Sequence, residues 1–128
     1  MTEPAWLTTE IITAIHSQQV AQHGGPDGVR DEGLLEPALA RARQKHAYGD
    51  PTIPEMAAAY AFGIARNHPF VDGNKRTALM AAYVFLRLNG FVLDASEVET
   101  AVTFRSLAAG EIDEIQLADW LTANSKPA

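Results

Sequence analysis

The sequence predicts an all-α domain. Apolar residues recur at helical spacing along most of the chain, and short intervals carrying glycine or proline separate those stretches. No segment shows the strict alternation of a half-buried strand. With 128 residues, 47% of them hydrophobic, the chain can fill one core, so a single domain over 1–128 is expected, with its ordered part at about 6–124.

Thr8 or Thr9 is suited to cap a first helix running to about His23, with Ile11, Ile12, Ile15 and Val20 at helical spacing and Trp6 just ahead. The run Gly24-Gly25-Pro26-Asp27-Gly28 stops it. No Gly-Lys-Ser/Thr follows, so this run is a turn rather than a nucleotide-binding loop. Asp31 caps a second helix carrying Leu34, Leu35, Ala38 and Leu39, in which Pro37 predicts a kink or a break into two short helices. Lys45 to Thr52 reads as an exposed loop and as the segment to clamp a target. Pro54 opens a third helix, which ends before Pro69.

The fourth helix, Asn74 to Asn89, has Arg87 as its only charge after Arg76. A helix so apolar is expected to be buried on all sides, at the centre of about six helices. Gly90 closes it with a left-handed cap. Two further helices, Ser96 to Ala109 and Ile112 to Ala123, precede a frayed tail, Ser125 to Ala128.

The chain has no cysteine, which excludes disulfides, thiolate nucleophiles and cysteine metal sites. The formal charge of −6 argues against a nucleic-acid partner, which calls for a basic face. The start MTEPAWLTTE lacks the basic and apolar regions of a secretory leader, and the longest apolar run, Ala78 to Leu86, is too short to span a bilayer. A cytoplasmic protein without a membrane segment is the expectation.

One segment carries chemistry: His68-Pro69-Phe70-Val71-Asp72-Gly73-Asn74-Lys75-Arg76. It opens directly into the fourth helix, whose N-terminal N–H groups and dipole attract anions. Gly73 leaves room for a phosphate at the backbone, Asn74 adds an uncharged donor, Lys75 a point charge and Arg76 a two-pronged contact. Asp72 would repel such a ligand unless a cation lay between, a role suited to Mg²⁺ held by carboxylate and phosphates together. His68 is the candidate general base toward an attacking hydroxyl. Phe70 has no polar atom and is expected to anchor the loop in the core. Singly, each residue also has a structural reading: Asp72 as a helix cap, Lys75 and Arg76 as solvated charges, His68 as a surface or capping residue. Gathered within nine residues at the mouth of an apolar helix, they favour the chemical reading. His16, His23 and His46 have no acidic partner at metal-ligand spacing and are read as surface residues, with His46 in the target-facing loop.

HPFVDGNKRTA is similar to the defining motif of the Fic/Doc proteins, His-x-Phe-x-Asp/Glu-Gly-Asn before a basic segment. GVRDEGLLEPALAR, AAAYAFGIARN and TALMAAYVFLRLNG resemble the death-on-curing (Doc) toxin branch. The resemblance implies a helical Fic/Doc fold in which the motif loop precedes the central helix. It implies His68 as the base, Asp72 as the Mg²⁺ ligand, Gly73, Asn74, Lys75 and Arg76 on the phosphates of ATP, and Phe70 as the buried anchor. AMP-transferring Fic members usually have Gly-Asn-Gly-Arg and, after two more residues, a second arginine, where this chain has Lys75 and Leu79. Both departures match the Doc pattern, which implies transfer of the γ-phosphate of ATP to a hydroxyl of elongation factor Tu. That reading leaves AMP transfer, and an inactive antitoxin-binding regulator, as alternatives. The branch also implies a cognate antitoxin whose C-terminal segment folds on the toxin, for which apolar positions on the first helices, Trp6 among them, could form a groove or equally belong to the core.

Overall fold

The computed structural model describes residues 3–128; Met1 and Thr2, within the domain bounds read from the sequence, lie outside them. Six helices follow one another: α1 Thr9–His23, α2 Glu32–Tyr48, α3 Ile53–Asn67, α4 Asn74–Leu88, α5 Glu97–Ala108 and α6 Glu114–Asn124. Their starts are written in side-chain caps. Thr8, Asp31, Thr52, Ser96 and Asp113 each accept a hydrogen bond from a first-turn N–H, and Thr52 and Asp113 form capping boxes with Glu55 and Gln116.

The central element is α3, not α4. Ten of the fifteen α3 residues are buried, against seven of fifteen in α4, and α3 packs against α2, α4 and α6. Its alanines at 57, 58, 59, 61 and 65 are small enough to admit neighbours on every side. α4 leaves Tyr83 and Leu88 exposed and Leu79 and Met80 half-buried. Its apolar character reflects a surface stripe as well as a core face, two environments that composition alone does not separate.

Three other expectations change. α2 runs unbroken through Pro37. The carbonyl deprived of a partner belongs to Gly33, at the exposed start of the helix, where water can satisfy it. α2 also extends to Tyr48, so Lys45 and His46 are helical and the loop shrinks to 49–52. Lys45 Nζ lies 2.9 Å from Glu114 Oε2, and Arg41 binds the same carboxylate, tying the end of α2 to the start of α6. The tail is not frayed: β2, Ser125–Pro127, pairs antiparallel with β1, Phe91–Leu93, with Val92 opposite Lys126. Strands of three residues are too short to leave a period in the sequence.

Trp6 packs against the core, its ring tilted on Phe85 at 6.4 Å and covered by the Arg43 guanidinium at 4.8 Å. Tyr60, fully buried in α3, accepts a hydrogen bond from the Leu7 N–H at 3.1 Å and so pins the segment ahead of α1. Among the described residues no helix is long and apolar enough to cross a membrane.

Candidate active site

The loop between α3 and α4 is shaped by both of its ends. Pro69 ends α3 at Asn67, and His68 becomes its C-cap in the left-handed conformation, φ 48° and ψ 55°. His68 is the one non-glycine residue with positive φ among the described residues, a state that costs on the order of 1–3 kcal/mol. Arg30 holds it there, donating from Nε to the His68 carbonyl at 2.9 Å and from Nη2 to the Asn67 carbonyl at 3.1 Å. A cation at a helix C-terminus also complements the dipole. The imidazole itself is exposed.

Next comes a short pairing with the segment before α2. Val29 bridges Phe70 in antiparallel fashion, the Arg30 and Asp31 N–H groups donate to the Pro69 carbonyl, and the Val71 N–H donates to Gly28. Phe70, expected as the loop's anchor, is 1% exposed. Gly73 enters α4 with φ 77°, a backbone state suited to glycine. Its N–H donates to Asp72 Oδ1 at 2.8 Å, leaving Oδ2 for other partners.

Asn74 behaves differently from the simple phosphate donor expected. Its carboxamide accepts from the Phe70 N–H and donates to the Phe70 carbonyl, both at 3.0 Å. The side chain therefore staples the loop closed, and of Asn74 only the main-chain N–H is left facing out of the helix end. No side chain caps this end of α4, and its first internal bond runs from the Thr77 N–H to the Gly73 carbonyl at 2.9 Å. The N–H groups of Asn74, Lys75 and Arg76 thus point out of the helix end.

His68, Val71, Asp72, Gly73, Asn74, Lys75 and Arg76 line one open cleft of ≈ 340 Å³. Every residue expected in the site faces it except Phe70, which lies beneath. Arg76 is half-buried, and its Nε is enclosed without a hydrogen-bond partner. The guanidinium charge itself lies beside the helix N-terminus, where an anion is favoured. Two cations and a helix end, an exposed imidazole and one carboxylate thus share a single mouth, able to bind a polyphosphate and to accept a proton beside it.

Two residues outside the motif were missed. Arg30 lies 38 positions from His68 in sequence and gave no local signal. His16, read as a surface residue, is fully buried: its ring stacks on Phe70 at 3.9 Å, and its Nε2 lies 2.6 Å from the Asp72 carbonyl. The signal was available, since Ile12, His16 and Val20 share one helical stripe and all three are buried. His23 is exposed, as expected, while His46 sits half-buried on α2 with its ring edge-on to Trp6 at 5.4 Å.

The fold and cleft define a small helical domain in which a basic helix mouth and an exposed histidine share one opening. The chain belongs to the Fic/DOC family, whose model matches residues 6–86. Over 117 residues it is 37% identical to Protein kinase doc of Escherichia phage P1, covering 90% of this chain and 91% of that protein. Over 75 residues it is 51% identical to Toxin Doc of Mycolicibacterium smegmatis (strain ATCC 700084 / mc(2)155), covering 56% of this chain and 57% of that one.

Proposed function

We propose that this protein is a toxin of a toxin–antitoxin pair that transfers the γ-phosphate of ATP to a serine or threonine hydroxyl of a protein target. The observation that carries the reading is the cleft itself, in which the exposed His68 imidazole and the phosphate-facing end of α4 open on the same space. His68 takes the proton from the attacking hydroxyl. Gly73 leaves the backbone bare for the polyphosphate, and the N–H groups at the start of α4, with the Lys75 and Arg76 side chains, hold it and stabilise charge as the phosphoryl group moves. Among the described residues no cluster of three acidic or histidine groups could hold a metal alone. The open Oδ2 of Asp72 fits a Mg²⁺ ion that arrives with the nucleotide, where it would neutralise phosphate charge.

Lys75 and Leu79 stand where AMP-transferring members of the family usually carry glycine and arginine. This supports γ-phosphate transfer over AMP transfer, and the similarity to a protein named as a kinase agrees. The toxin relatives support a cognate antitoxin as partner, and its proposed mode of binding is a C-terminal segment that folds on contact. Elongation factor Tu is the proposed target and the cytoplasm the proposed compartment.

The test uses ATP labelled at either the α- or the γ-phosphate. With elongation factor Tu and Mg²⁺, label should reach the target from the γ-position only. Transfer from the α-position would establish the AMP-transferase alternative. Growth arrest that persists in a His68→Ala variant would favour a binding regulator without catalysis.

A further inference from the structure

Beneath the cleft lies a histidine with no assigned role. We propose that His16 is a positioning residue of the active site, fixing the loop from Phe70 to Asn74 so that the Asp72 carboxylate and the N–H groups of α4 face one ligand. The proposal rests on the phosphate-transfer reading for its consequence, but not for its geometry.

A backbone carbonyl only accepts, so a nitrogen 2.6 Å from the Asp72 oxygen must carry the proton. His16 is therefore an Nε2–H donor. Its ring is fully buried and stacks nearly parallel to Phe70, 3.9 Å away with 7° between planes. One side chain thus grips the loop twice, by a ring face at Phe70 and by a hydrogen bond at Asp72. Between those points the Asn74 carboxamide closes the same loop onto the Phe70 peptide.

The grip matters because of what hangs on the Asp72 peptide. Its carbonyl is held by His16 and its Oδ1 by the Gly73 N–H at 2.8 Å. With both fixed, Oδ2 has a set direction, and the chain must enter α4 through Gly73. Freed from His16, the Asp72 peptide can rotate, swinging the carboxylate and the following N–H groups together. A displacement of about 1 Å at such groups is enough to cost about 10²-fold in rate.

A second carboxylate backs the ring. His16 Nδ1 lies 3.3 Å from Asp27 Oδ1 without forming a hydrogen bond. Asp27 is itself held by the Gly28 N–H at 2.7 Å and the Ser17 hydroxyl at 3.1 Å.

A purely structural histidine would change stability alone, so the test reads geometry and catalysis separately. His16→Leu keeps apolar bulk against Phe70 and removes the donor, while His16→Gln restores an N–H of similar reach. Hydrogen exchange should quicken at residues 70–77 in His16→Leu and stay unchanged in α3 and α6. Phosphate transfer from Mg-ATP should fall about 10–100-fold, as for other groups that orient ligands from behind. The fall should lie in kcat, with little change in KM for the protein target, and His16→Gln should recover most of it. Unchanged exchange and kcat in His16→Leu, or an equal loss in His16→Gln and His16→Leu, would overturn the proposal. Should the wild type transfer no phosphate, the kinase reading fails while the exchange comparison still decides the grip. Should His16→Leu fail to fold, ¹⁵N-histidine spectra of the wild type decide it: Nε2 protonation is required, and an Nδ1-only tautomer contradicts it.

Discussion

The motif loop has two faces, and the two histidines that mark them could hardly differ more. On the outer face His68 is exposed, in a left-handed backbone conformation, with its imidazole open to the cleft. On the inner face His16 is fully buried, stacked on Phe70 and bonded to the Asp72 carbonyl. The outer face carries the backbone strain of His68 and the two cations Lys75 and Arg76. On the inner face the carboxamide of Asn74 is satisfied and Phe70 is sunk in the core. The satisfied face beneath supplies the rigidity that the strained outer face lacks.

This contrast predicts that changes on the outer face cost activity with little loss of stability, whereas changes on the inner face loosen or destabilise the loop and reach activity through its position. The largest effect is His68→Ala, which should lower phosphate transfer by about 10²–10⁴-fold while leaving the melting temperature near that of the wild type. A large drop in melting temperature would erase the distinction. Phe70→Ala should behave in the opposite sense, destabilising by about 3–5 kcal/mol in denaturant unfolding and losing activity only through the lost structure.

Gly25→Ala strikes where the faces meet. A Cβ there would lie 2.5 Å from Asp72 Oδ2, on a backbone with φ 107°. Expected is a loss of about 1–3 kcal/mol from the strained backbone, together with weaker Mg-ATP binding as the carboxylate is pushed aside. Calorimetry of both properties checks it, and an unchanged nucleotide affinity would mean that Oδ2 is not used.

The smallest effect provides a control remote from the loop. Burial raises the Tyr60 pKa above its usual value near 10, with the Leu7 N–H and the Arg43 charge opposing the shift. The unfolded chain then loses that proton first as pH rises, so this contribution to stability is complete below about pH 10 and declines above it. Tyr60→Phe should cost about 1 kcal/mol at neutral pH, flatten the alkaline decline and leave phosphate transfer untouched.

What the sequence revealed follows the range of the interactions involved. Thr8, Asp31, Ser96 and the proline at 69 act within a turn of themselves, and the helix ends they predict agree with the structure. The outer face was legible because its residues are contiguous: nine consecutive positions supply nearly the whole cleft. The inner face was not, because its grip comes from α1 and from the segment before α2, 56 and 38 positions away in sequence. The centrality of α3 was hidden for another reason. Its alanines read as ordinary helix formers, whereas the bulkier apolar residues of α4 drew attention although some of them face a surface groove. The helical path through Pro37 depended on an exposed first turn, which only the packing reveals.

The central claim is that His68 drives transfer of one phosphate from ATP, and the mass of the target tests it most directly. Elongation factor Tu would be incubated with Mg-ATP and either the wild-type protein or His68→Ala, then weighed intact. The account predicts a gain of one phosphate with the wild type and none with the variant. A gain of an AMP unit, or the same phosphate gained with both proteins, would contradict it.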